Sequence, residues 1–152
     1  MDSNGSRGLK MVTIENTQSV PIDTAKLKKN AKIILKHLGY ENFDLGILLC
    51  DNKTIHEYNA RYRDKDKPTD ILSFPFYPDL KAGDTISTES EDQKNLGDII
   101  LSPEYIKTDL IRWEQTFEDR MKVLLVHGIC HLLGYDHIQD KDYEIMKEKE
   151  QK

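Results

Sequence analysis

The chain has 152 residues and carries 27 acidic against 22 basic side chains, a formal net charge of −5. With 38% hydrophobic and 32% charged residues it is too apolar for a disordered chain, and its length suits one domain that buries roughly 70% of its unfolded surface. The negative balance excludes a chain that coats nucleic acid by charge alone, while leaving room for a local basic patch, and no apolar run approaches the ~18 residues of a membrane span.

The opening Met-Asp-Ser-Asn-Gly-Ser-Arg-Gly has neither the apolar core of a signal peptide nor the amphipathic, Arg-rich character of a presequence. Residues 1–10 read as a disordered leader or cloning remnant, with the natural start near Met11 and a single domain over 11–152. Residues 11–16 predict a short strand. Asp23 is the N-cap of a helix in which Leu27, Ala31, Ile34 and Leu38 recur at helical spacing, Lys28, Lys32 and Lys36 line another face, and Gly39 ends the run. Leu45–Cys50 is apolar enough for a buried strand, and Asp51 caps a second helix to about Tyr62, with Ile55, Tyr58 and Tyr62 expected to face inward. A charged loop follows, with Arg61, Arg63, Lys65 and Lys67, and then a third strand over 70–76, in which Pro75 marks an edge strand or an early end.

Residues 81–94 read as a loose acidic loop before a fourth strand at 97–101. Ser102, Pro103 and Glu104 open a helix to about Trp113, and Thr116 with Asp119 opens another. From Met121 to Leu133 that last helix is apolar on nearly every side, so it belongs at the centre of the fold. A charged helix over about 140–150 completes a single-domain α+β fold: a small mixed four-stranded sheet packed with about five helices.

The buried helix carries the chemistry. His127 and His131 lie one turn apart on the stripe of Arg120 and Leu124, and Gly134 lets the chain reverse so that His137 can return toward them. Burying such imidazoles without partners wastes hydrogen bonds, and a divalent metal, zinc above all, satisfies them together. Zinc peptidases with related spacing place a general-base Glu after the first histidine; this chain has Gly128. A structural site needs a fourth protein ligand, for which Cys130 and Asp136 are the near candidates. Cys50 and Cys130 otherwise read as buried free thiols of a reducing compartment. An open three-histidine zinc site suits phosphodiester cleavage, which needs charge stabilisation, and the basic loop offers a cation for the phosphate.

Three motifs make the chain resemble the YbeY family of metal-dependent endoribonucleases: His127-Gly-x-x-His131-Leu-x-Gly134-Tyr-Asp136-His137, the stretch from Tyr62-Arg63 through Thr69-Asp70 to Ser73-Phe74-Pro75, and Leu96-Gly97-Asp98-Ile. The resemblance covers about residues 11–150; stretches from Phe43 to Gly83 look closer to the eukaryotic, organellar branch. It implies one zinc held by His127, His131 and His137, with Arg63 meeting the RNA phosphate, these four forming the catalytic set. It further implies single-stranded rRNA as substrate, notably the 3′ end of small-subunit rRNA, and the small ribosomal subunit and its assembly factors as partners. The protein would be an intracellular monomer without membrane association, in the cytoplasm or, for the eukaryotic branch, the mitochondrial matrix. Asp136 could orient a ligand histidine, Ser73 and Thr69 could line the groove, and the acidic insertion near 84–94 could reshape its mouth. Two other readings predict different outcomes: a zinc peptidase-like hydrolase, and a ribosome-assembly RNA-binding module whose metal is structural.

Overall fold

Alternating burial along Asp44–Leu49 marks the strand at the heart of the sheet: Leu45, Ile47 and Leu49 are almost fully buried while the residues between them are half-buried. The computed structural model describes residues 11–135. The four strands are β1 (Val12–Asn16), β2 (Asp44–Leu49), β3 (Ile71–Pro75) and β4 (Asn95–Leu101), in the order β1-β2-β4-β3. The first three in that order are mutually parallel, and β3 runs antiparallel along β4. Pro75 is thus tolerated where the sequence placed it, on an edge strand.

The helices are α1 (Thr24–Leu38), α2 (Asn52–Arg63), α3 (Pro103–Thr108) and α4 (Phe117–Leu132). Each starts on the expected cap: Asp23, Asp51, Ser102 and Thr116 accept a backbone N–H three residues on. A 3-10 turn over Asp109–Arg112 continues α3. With four strands and four helices among the described residues, the α+β architecture is as expected; the helix predicted at about 140–150 and the leader at 1–10 fall outside them.

Two layers form on the sheet. Ile47, Leu49, Ile99 and Leu101 meet α1 and α4 in the main core, where Leu125 and Ile129 are fully buried. Each such side chain contributes roughly 1.5–3 kcal/mol. On the opposite face Leu72 and Ile100 meet Ile55 of α2 in a smaller core with Cys50, flanked by Leu48, Tyr58 and Phe74. Three expectations change. Leu35, not Ile34 or Leu38, completes the fully buried stripe of α1. Tyr62 is not buried: it is 58% exposed, at the rim of an open cavity, with Tyr58 and Phe74 against its ring. The stretch 81–94 is not uniformly loose: Leu80, Ala82 and Ile86 pack on the main core, Ile86 N–H donates to the Tyr40 hydroxyl at 3.3 Å, and Glu91–Gln93 forms a 3-10 turn.

Candidate metal centre and basic loop

The helix that carries the histidines is fixed from three sides. At its start Arg120 is buried, its guanidinium 3.7 Å over the Trp113 ring and 3.8 Å from Asp70 Oδ2. Burial lowers its pKa, with Asp70 and then Asp109 opposing the shift. In the middle, Gly128 lies against the sheet. A Cβ there would stand 2.8 Å from Ile71 Cδ1 and 3.0 Å from Ile99 Cδ1. At the end, the chain passes from Leu133 into Gly134 at φ 94°.

Gly134 is required twice. Its backbone is left-handed, and a Cβ would meet Leu80 O at 2.5 Å and the Lys81 carbonyl carbon at 2.9 Å. Gly97 is similar: at φ 115° it lies so close to the Phe74 carbonyl of β3 and the Phe76 N–H just beyond that strand that no side chain fits. Two of the three motifs therefore owe a glycine to close backbone approach.

His127 and His131 follow helical geometry onto one flank of α4, roughly 60–100° around from Gly128. Both are half-buried on a helix whose sheet-facing residues are closed to solvent. Arg120 shares that flank and reaches Asp70, the residue before β3, so the imidazoles overlook the edge strand. Ser73, on β3, donates to the Gly128 carbonyl at 3.4 Å. Thr69 donates to Asp70 Oδ1 at 3.3 Å, so it belongs to the Arg120 network. His137 and Asp136 lie outside the described residues. Among the described residues no three His, Cys, Asp or Glu side chains converge as a metal site. The described donors are therefore the two imidazoles, the right nitrogen type and spacing for zinc but two ligands only. Cys130 is fully buried in the main core. Cys50 is buried too, and burial, with Asp51 beside it, pushes its thiol up to about 11.

Arg63 is the last residue of α2, on the opposite layer from α4, and it is exposed, as are Arg61, Lys65 and Lys67. The structure does not place it in the same layer as the histidines; β3 and β4 lie between the two helices. Asn59, which the sequence gave no reason to single out, organises this loop. It is 2% exposed; its Nδ2 donates to Lys67 O at 2.8 Å, and its own carbonyl accepts the N–H of Lys65 at 3.1 Å and of Asp64, the left-handed residue that ends α2. An asparagine in the middle of a polar helix carries no pattern that separates a buried clamp from a solvated side chain.

Known proteins match this arrangement over nearly its full length. The family described as Endoribonuclease YbeY matches residues 13–152. A human protein named Endoribonuclease YbeY is 42% identical over 140 residues, 91% of this chain and 83% of the relative. Its namesake in Clostridioides difficile is 34% identical over 145 residues, 93% of this chain and 92% of the relative. The solution structure of TM1509 from Thermotoga maritima superposes with a TM-score of 0.54 at 26% identity, covering 91% of this chain and 86% of that one. With sequence and fold matching from β1 through the histidine helix, the chain belongs to the Endoribonuclease YbeY family.

Proposed function

We propose that this protein is a zinc-dependent endoribonuclease that cleaves single-stranded rRNA, at the 3′ end of small-subunit rRNA, during ribosome maturation. One observation carries the metal centre: His127 and His131 stand one turn apart on the half-accessible flank of a helix whose sheet-facing side is buried, and the left-handed Gly134 turns the chain three residues before His137. His127, His131 and His137 would hold zinc with one position open; bound there, it supplies a Lewis acid for the phosphoryl oxygen and lowers the pKa of a water toward roughly 7.

The chain's own groups supply the rest. Arg63 binds the phosphate by charge-assisted hydrogen bonds from the end of α2, and the Asn59 clamp holds that loop in place. Ser73 ties the edge strand to the histidine helix. The peptidase reading loses support at Gly128: it supplies no base, and its Cβ direction points at Ile71 and Ile99 instead of open space. The small ribosomal subunit and its assembly factors are the proposed partners.

Metal analysis after exhaustive dialysis should find about one zinc per chain, and His131→Ala should lose both the metal and cleavage of defined small-subunit rRNA. Less than about half an equivalent, unrestored by added zinc, overturns the one-metal centre. Casein should remain uncut; its cleavage would favour the peptidase. A folded His131→Ala protein that binds small subunits normally, with a wild type that cleaves no RNA, would favour the assembly module.

A further inference from the structure

Tyr62 is the most exposed aromatic among the described residues, yet its ring is held. It lies nearly parallel to Tyr58, centroids 6.0 Å apart and planes at 21°, and meets Phe74 edge-on at 5.4 Å. Two neighbours fix the ring while 58% of the residue stays open to solvent. Arg61 and Arg63 flank it in sequence, and Lys65 and Lys67 follow in the loop that Asn59 pins. A fixed aromatic face beside cations on a pinned backbone is a pairing by which proteins take unpaired bases: the ring stacks on the base and the cations follow the backbone.

We propose that Tyr62 is a nucleobase-stacking subsite, at which an unpaired base of the RNA rests on the outer face of its ring while the adjoining phosphates run along the Arg61–Lys67 loop. The inference rests on the RNA-cleaving reading above and adds a physical source for single-strand preference, since a paired and stacked base has no free face to offer. The neighbouring charges bear on the path: Asp64 and Asp66 alternate with the cations, and Asp66 is engaged by His56 at 2.7 Å. Tyr62 also borders a cavity of about 860 Å³ lined by Glu15, Asp44 and Asp98, the last standing opposite Phe74 in the sheet. Those carboxylates repel phosphate, so the strand passes around the edge of the sheet at β3 instead of across its floor. That edge is where Phe74, touching Tyr62, adjoins Ser73, touching α4 beside His127.

The test uses the full chain as purified and a single-stranded RNA carrying 2-aminopurine, with 2′-O-methyl riboses to slow cleavage. Wild-type protein should quench the 2-aminopurine. Tyr62→Ala should weaken binding roughly 5- to 100-fold and abolish the quench, Tyr62→Phe should keep both, and Tyr62→Leu, apolar but without a π-face, should behave as Ala does. Binding to a duplex of the same sequence should not change. Thermal melting identifies any misfolded variant, and the Phe and Leu pair still decides the matter if Ala fails to fold. Equal binding and quenching by wild type and Tyr62→Leu overturns the subsite, as does a Tyr62→Ala protein that binds RNA normally but loses an arginine-rich peptide. A wild type that neither binds nor cleaves RNA overturns the RNA-cleaving reading itself.

Discussion

The two faces of the sheet are finished differently. On one, α1 and α4 close over every strand, and α4 comes so near that a Cβ at residue 128 would press on the ends of Ile71 and Ile99. On the other, α2 alone covers β3 and β4, leaving Thr13, Glu15, Gly46 and Asp98 around an open cavity and the basic loop at the rim. The closed face is built for precision: it holds two imidazoles on a helix pinned at its start, middle and end. The open face is built for access, with its cations and exposed ring on the last turn of a helix and in a clamped loop. Packing errors should therefore be fatal on the first face and functional on the second.

The sharpest way to break that contrast is at the closest contact. Gly128→Glu should yield no folded protein, because a carboxylate would enter the space of Ile71 and Ile99; the milder Gly128→Ala should cost about 1–3 kcal/mol in chemical denaturation. A Glu variant with native circular dichroism would show that the layer is not tight. Next comes Arg63→Ala, which should lower kcat/KM on single-stranded RNA roughly 10- to 100-fold, the value of one charge-assisted hydrogen bond, with an unchanged melting temperature. Loss of stability instead would move Arg63 from the accessible face to the structural one.

The smallest effect concerns Cys50, between the strand end and α2. Its folded-state pKa of about 11 lies above the ordinary thiol value of 9.0. Above pH 9 the unfolded chain gives up the proton and the folded chain does not. The thiol's contribution to stability should be flat below pH 9, fall as the pH rises toward about 11, and level beyond it. Denaturation across that window, compared with Cys50→Val, isolates the thiol's share; identical slopes would show that the thiol is not buried as described.

Sequence alone exposed much of this because its signals are periodic or steric. Helical spacing marks α1 and α4, four caps mark four helix starts, and Pro75 marks an edge. Gly134 reads as a turn, and the structure adds the backbone of Leu80–Ala82 against it. Residues whose role depends on the partner layer were not legible. Gly128 reads as a missing general base, and only the packed sheet shows that Ile71 and Ile99 crowd its Cβ direction. Tyr62 sits at inward helical phase, and only the folded chain shows it exposed at the rim of an open cavity. Asn59 carries no pattern at all. The histidine spacing announces a metal helix, but spacing does not say that Arg63 belongs to the opposite layer.

The contact between Gly134 and the backbone of Leu80–Ala82 sets where this chain can grow. Residues 80–82 form the wall against which the histidine helix ends, so an insertion there would redirect the segment that leads to His137. Beyond Ile86, whose N–H reaches Tyr40, residues 87–94 are mostly exposed, and extra residues there displace no core side chain. Length variation among relatives should gather downstream of Ile86 and spare the three residues beneath Gly134.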